Sequence, residues 1–337
     1  MSIQFTILII YFIFIIFLGV LAVRKVKASD DLLVAGRNLG LMYVSVSIAA
    51  EYMGGLGTIG TAEVAFSQGM GVIWYHIASS FGLILFGLAF AHYYRKYNVI
   101  TVPEFLYYLY DIKTWKAASV LNVVGYWFFT IIQMTALGAL VTSVTGLDLK
   151  LSVLICGIAM TIYLLAAGMW SVAFTSVAFM LTIGTGIPIA FWWVMKKEIP
   201  LLAASAGLSG YSGLAAALNG MGLDATALFS PFSLGGMAVF GYFIGGILGI
   251  PAAQATINYS FGAKNWKIAR LAPVLAAILI LPLSIWTGSM GLFARAAGLT
   301  NNPKLALGAT LMSIHPIVGG IGIAGVFAAL ISTVAGI

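Results

Sequence analysis

The sequence predicts an all-α protein that crosses a membrane several times, and three observations predict it. Of its 337 residues, 62% are hydrophobic and only 7% are charged, where a soluble globular protein carries about 25% charged residues. The mean hydropathy is +1.08. The apolar residues run in stretches near the roughly 20 that span a bilayer as a helix, not in the roughly 10-residue alternating segments of a membrane β-barrel. So few charges exclude the soluble enzyme classes, and so many apolar side chains exclude a disordered chain. The single Cys156 excludes a disulfide framework within the chain and any cysteine-based metal site. The pI near 9.4 fits basic loops on a membrane protein better than nucleic-acid binding, because no soluble segment interleaves basic residues with aromatics.

About nine spans follow in order. Residues 5–23 hold 19 positions without a charge, and Arg24, Lys25 and Lys27 come next with no small-residue cleavage site, so the first span is read as uncleaved. Further spans fall at 41–67, 71–92, 118–142, 150–168, 172–195, 234–258, 267–295 and 314–337. Basic residues concentrate in the loops facing the cytoplasm. With the N-terminus outside, the inner loops hold Arg24, Lys25, Lys27, Arg37, Arg95, Lys96, Lys113, Lys116, Lys264, Lys267 and Arg270. The outer loops hold Lys150, Lys196, Lys197, Arg295 and Lys304. That bias puts the N-terminus outside, and the plasma membrane is the expected location. The long outer loop, 198–233, is rich in Gly, Ala and Ser and reads as either a short interfacial helix or an external lid. The sequence stops at Ile337 inside an apolar run without a basic flank, which leads us to expect a longer protein.

Span 41–67 carries the most chemistry. Gly54, Gly55, Gly57 and Gly60 fall within seven residues, and each glycine weakens a helix by about 1 kcal/mol relative to Ala. Clustered glycines permit unwinding, which frees carbonyl oxygens able to ligate Na⁺ in secondary transporters; they also permit close helix packing. Glu51 and Glu63 share this span, and an intramembrane carboxylate is costly enough to mark a functional site. The roles open to them are charge compensation for a bound cation, proton carriage, or a structural pair. His76 lies beside Trp74, Tyr75 and Ser79, the mixture of aromatic and hydroxyl groups that small-solute pockets use. Ser332 and Thr333 in the last span either bond back to the preceding turn of their own helix or donate oxygens to Na⁺. No Walker loop, HExxH, CxxC or GxSxG occurs.

Five segments then resemble the sodium/solute symporters, the family of the bacterial proline, galactose and sialic acid carriers. SDDLLVAGRNLG (29–40) is similar to that family's S-D-x-x-x-A-G-R, TVPEFL (101–106) to its T-x-P-E-F, and AGMWSVAFTS (167–176) to its G-G-x-x-x-V-x-x-T-D. FGAKNWKIAR (261–270) resembles its L-A-A-K stretch and AALIST (328–333) its A-A-x-x-S-T. The resemblance runs along essentially the whole chain. It implies a LeuT-like core of two inverted five-helix repeats after one extra helix: residues 1–40 for the extra helix and a cytoplasmic loop, 41–197 for the first repeat, 198–233 for the external loop, and 234–337 for the first three helices of an incomplete second repeat.

By the same resemblance, the principal sodium site falls on the carbonyls of Ala50, Met53 and Ala329 and the hydroxyls of Ser332 and Thr333. The solute pocket falls on Gly57, Tyr75, His76, Ser79 and Gly249, and Glu51 is placed in it as an intramembrane carboxylate. Four departures bear on specificity. Thr175-Ser176 replaces the family's T-D, removing the acid of a second cation site, and Phe179 stands where Gln is expected. Gly249 replaces the aromatic inner gate of sugar carriers, and His76 replaces their acid, which suggests an anionic or hydrogen-bonding solute, a carboxylate or an amino acid. The function implied is Na⁺-coupled symport of a small organic solute, with Na⁺ as coupling ion, no cofactor, the lipid bilayer as surroundings and no nucleic-acid partner. Proton coupling through Glu51 or Glu63, or a symporter-like sensory domain of a signalling protein, stands as the alternative.

Overall fold

The computed structural model describes residues 2–23, 38–97, 99, 101–166, 169–203 and 207–336. The basic loop with Arg24, Lys25, Lys27 and Arg37 lies outside the described residues, as do most of the 29–40 motif and the Ala167-Gly168 start of the fifth-helix motif.

The chain opens with α1 (Ile3–Val23). It continues through α2 (Leu41–Tyr52), a break at residues 53–55, a π-helical turn (Leu56–Gly60) and α3 (Thr61–Gln68). Next come α4 (Trp74–Leu85), α5 (Ala91–Tyr97) and α6 (Val102–Leu109). The longest helix, α7 (Ile112–Thr145), is capped by the Asp111 side chain on the Thr114 N–H and closed by left-handed Gly146. Its 34 residues make about 51 Å at 1.5 Å per residue, so it extends well past the predicted 118–142. Then follow α8 (Leu149–Ala166) and α9 (Met169–Trp193), the latter continuing as helix to Leu202. The loop over 198–233 holds two short helices, α10 (Gly210–Gly220) and α11 (Ala225–Phe229).

The second half opens with α12 (Gly236–Ile244), which runs through a π turn to Ala252, and α13 (Gln254–Phe261), bent from it by 43°. It ends with α14 (Trp266–Ile280), α15 (Leu283–Ala296), α16 (Ala306–Ser313) and α17 (Pro316–Gly336). Among the described residues, five helices are long and apolar enough to cross a bilayer, six if the bent α12–α13 pair counts as one span. Every predicted span meets one of these, a shorter apolar helix, or the broken α2–α3 pair.

Apolar residues divide between centre and rim. The last helix, α17, is apolar all round, and such a helix belongs in an interior. It is almost wholly buried, packed among α1, α2, α7, α9 and α16. Large apolar side chains on α1, α7 and α8, such as Ile13, Phe17, Leu121, Trp127, Leu154 and Ile162, are exposed. In water such a rim would drive aggregation; in a bilayer it is the lipid-facing surface.

Two family motifs have local mechanical roles. Thr101 caps α6, its hydroxyl accepting the Glu104 N–H at 3.1 Å, with Pro103 in the first turn. Phe105 then buries against the Tyr94 ring at 4.3 Å. In the 261–270 segment, Leu39 N–H bonds Gly262 carbonyl and Lys264 N–H bonds Leu39 carbonyl, each at 2.9 Å. This short parallel bridge ties the entrance of α2 to the exit of α13.

Candidate ion and solute site

The first break satisfies its freed groups from neighbouring helices. Gly55 N–H donates to Gln133 Oε1 of α7 at 2.7 Å. The Tyr52 carbonyl lies 3.3 Å from His76 Nε2 on α4. Because a carbonyl only accepts, Nε2 carries the proton and Nδ1 accepts from the Ser284 hydroxyl on α15. Glycine is required where backbones come closest: a Cβ on Gly54 would sit 2.0 Å from Thr333 Oγ1, and one on Gly57 would sit 2.5 Å from the Tyr52 carbonyl and 2.9 Å from His76 Nε2.

Against this break lies an oxygen cluster. Ser332 Oγ is 3.0 Å from the Ala50 carbonyl oxygen and 2.9 Å from that of Ala329. Thr333 Oγ1 is 2.8 Å from the Glu51 carbonyl oxygen and 3.0 Å from that of Ala329. Each hydroxyl bonds back into its own helix, as one reading of the pair expects, and each also reaches across to α2. Each hydroxyl has one proton, so two of the four approaches hold no proton at a time. The result is a group of neutral hard oxygens with surplus acceptor capacity, suited to a monovalent hard cation. Met53 is buried at the C-cap of α2 with its N–H on the Ala49 carbonyl; the Glu51 carbonyl joins the contacts and had not been expected there. Thr175, Ser176 and Phe179 are fully buried in α9, which packs along α17, so the position of the family's acid is a hydroxyl.

The second break, at Ala253, is held in the same manner. The Tyr94 hydroxyl donates to the Pro251 carbonyl at 3.0 Å, the Ala255 N–H donates to the Tyr126 hydroxyl at 2.9 Å, and the Val102 N–H donates to Gln254 Oε1 at 2.6 Å. The Tyr52 and Thr256 hydroxyls, 2.8 Å apart, join the two breaks.

Between the breaks lies a cavity of about 390 Å³, within the usual range of small-molecule sites. Glu51, Tyr75, Ser79 and Gly249 of the predicted set line it. Gly57 and His76 do not; His76 is fully buried behind the wall, between the Tyr52 carbonyl and Ser284. The reason is helical geometry: at 3.6 residues per turn Tyr75 and Ser79 share a face, and His76 points about 100° away. The cavity wall also includes Asn122, Tyr126, Phe129 and Gln133 of α7 and Tyr242 of α12, which sequence reasoning missed. Their signal was a stripe at spacings of four, three and four in an otherwise apolar helix. Glu63, half-buried on α3, lines a separate cavity of about 180 Å³ with Lys304. Leu56 lines both cavities.

Two helices broken at matching places in two halves, with unwound carbonyls beside a cavity, are an arrangement that secondary transporter folds use. The chain belongs to the sodium:solute symporter family, whose profile matches residues 32–337. It is similar to the human high affinity choline transporter 1, 29% identical over 195 residues, which are 55% of this chain and 34% of that protein. It is also similar to the human sodium/iodide cotransporter, 24% identical over 176 residues, 52% of this chain and 27% of that protein. The osmoregulated proline transporter OpuE of Bacillus subtilis is 26% identical over 178 residues, 49% of this chain and 35% of that protein. Each match spans about a third of the relative's length. Among solved structures, a substrate-bound, outward-open Na⁺-coupled sialic acid symporter superposes with a TM-score of 0.80 at 18% identity, over all of this chain and 71% of that one. That likeness shows the LeuT-like fold expected from the motifs.

Proposed function

We propose that the protein carries out Na⁺-coupled symport of a small organic solute by alternating access, with its N-terminus outside the plasma membrane. One observation carries the reading: the hydroxyls of Ser332 and Thr333 on α17 meet the carbonyls of Ala50 and Glu51 beside the α2 break, and Glu51 also lines the solute cavity. Na⁺ bound among these oxygens, with the Met53 carbonyl completing the set, joins α2 to α17. Separation of those helices dismantles the ion site, so release of Na⁺ and opening of the cavity are one event. Inward movement of one positive charge gains about 2.3 kcal/mol per 100 mV of membrane potential. Linkage makes the effect reciprocal, so solute tightens Na⁺ by the factor by which Na⁺ tightens solute.

The test is thermal melting of the purified chain in NaCl against KCl at equal ionic strength. A ligand at 100 times its dissociation constant stabilises by about 2.7 kcal/mol. A Na⁺-specific rise that Thr333→Ala removes supports the reading, and identical melting in the two salts refutes it. The expectation of a carboxylate or amino-acid solute rested on His76, which lies outside the cavity wall and lends it no support.

A further inference from the structure

Resting on the reading of the cavity as the solute site, the geometry points to an organic cation that carries no carboxylate, such as a quaternary ammonium, as the class of solute. The cavity is lined by one carboxylate, Glu51, and among the described lining residues there is no Lys, Arg or His. Glu51 is 9% exposed, and its Oε2 is buried without a hydrogen-bond partner among the described residues. Burying a carboxylate without a partner is costly, and a fixed positive charge on the solute is the partner that offsets this cost. Removing one member of such a buried pair leaves the other uncompensated.

The rest of the wall has the matching chemistry. Tyr52, Tyr75, Tyr126, Phe129 and Tyr242 bring five aromatic rings to the cavity. Tyr75 and Tyr242 meet edge to face with centroids 6.0 Å apart. The hydroxyls of Tyr52 and Tyr126 are tied into the walls by Thr256 and the Ala255 N–H, which leaves the rings as the main contribution of these two residues. A cation within about 6 Å of a ring centroid is attracted by its negative face, and alkyl groups on nitrogen pack against the same rings without a need for hydrogen bonds. The remaining polar side chains of the wall, Ser79, Asn122 and Gln133, are neutral and suit a hydroxyl or other uncharged polar group on the solute. A carboxylate solute would face Glu51 with no base to compensate it. A zwitterion would have its ammonium met and its carboxylate unmet.

The experiment measures binding to the purified full chain by melting-temperature titration in NaCl and in KCl. The probes are choline, its uncharged carbon isostere dimethylbutanol, and glycine betaine, which keeps the quaternary nitrogen and adds a carboxylate. Choline is expected to bind in NaCl and to exceed both other probes by about tenfold or more, the scale of one close charge pair. Glu51→Gln should weaken choline by about tenfold or more, and Tyr242→Leu by roughly threefold to tenfold. A single elution peak and a helical circular dichroism spectrum establish that each variant folds, and the second variant carries the test should the first not fold. Equal binding of the alcohol or of betaine overturns the cation class, as does choline binding that neither variant weakens. So does an absence of choline binding in NaCl by a chain that Na⁺ itself stabilises, and in that case the ion reading survives. Choline binding of equal strength in KCl supports the cation site and overturns Na⁺ coupling instead.

Discussion

The hydroxyl of Thr333 lies 2.8 Å from the carbonyl oxygen of Glu51, 282 positions earlier in the chain. The same Glu51 lines the cavity, and its Oε2 is buried without a hydrogen-bond partner among the described residues. One residue therefore borders both candidate sites, its carbonyl in the oxygen cluster and the residue itself in the cavity wall. At the α2 break the Glu51 carbonyl loses the N–H four residues on that an intact helix would supply, and it accepts the Gly54 N–H at 3.3 Å together with the Thr333 hydroxyl. At the break the Gly55 N–H goes to Gln133 instead. Coupling between ion and solute then needs no long path through the fold.

The ion cluster predicts a graded hydroxyl series. Thr333→Ala removes an oxygen that reaches both Glu51 and Ala329, and Thr333→Ser keeps it. With a hydrogen bond to a charged group worth about 1.5–3 kcal/mol, the alanine variant should weaken Na⁺ by about tenfold to a hundredfold. The serine variant should stay within about threefold, since it loses only a methyl group and the packing that goes with it. Na⁺ titration of the melting temperature reads both; equal losses in the two variants would assign the effect to packing rather than to the hydroxyl.

Glycine positions at the first break predict a second contrast. Gly54→Ala and Gly57→Ala would place a Cβ at 2.0 Å from Thr333 Oγ1 and at 2.5 Å from the Tyr52 carbonyl, so the helices must separate. Each should destabilise by about 1–3 kcal/mol, as overpacking does. Gly60→Ala meets nothing nearer than 3.4 Å and should change stability by less than about 1 kcal/mol. Melting in KCl, where Na⁺ contributes nothing, compares the three, and a uniform response would show that the glycines serve flexibility alone.

The second break predicts that two phenolic hydroxyls hold it. Tyr94→Phe removes the donor to the Pro251 carbonyl, and Tyr126→Phe removes the acceptor of the Ala255 N–H. Each should cost about 0.5–1.5 kcal/mol. The solute effects should differ, because Tyr126 lines the cavity and Tyr94 does not. Binding of the solute with Tyr94→Phe should follow the wild type more closely than binding with Tyr126→Phe, and the reverse order would contradict this arrangement of the wall.

These contrasts also mark what the sequence makes legible. Apolar run length identifies the spans because the bilayer imposes one thickness on all of them. The four glycines at 54–60 identify the first break because they fall mid-span beside an acid. The second break carries a similar signal, Gly245, Gly246, Gly249 and Pro251, but reading 234–258 as one span passes over it. The local hydrophobicity does not mark it, and the partners that stabilise the unwound turn, Tyr94, Val102 and Tyr126, are distant in sequence. Thr101 and the Leu39 to Lys264 pairing are visible as motifs while their purpose, a helix cap and a backbone bridge, is not. The face of α4 that borders the cavity is set by packing against α12 and α14, which no local pattern encodes.

His76 gives the last prediction. Its ring joins Ser284 of α15 to the Tyr52 carbonyl at the end of α2, and the Tyr52 hydroxyl continues to Thr256 of α13. The imidazole therefore positions the broken helix and does not line the solute cavity. Replacement by leucine strands a buried carbonyl and a buried hydroxyl, at about 1–3 kcal/mol for each group left unsatisfied. His76→Gln offers an amide that can donate to Tyr52 and accept from Ser284, and should recover part of that loss. Because Tyr52 lies two residues from Ala50, displacement of its carbonyl should weaken Na⁺ as well as lower the melting temperature. The ranking of solutes should stay as in the wild type, since the lining side chains are untouched. Melting in NaCl and KCl together with a solute competition series separates these effects. A changed solute ranking with unchanged Na⁺ affinity would return His76 to the solute pocket and refute the positioning role.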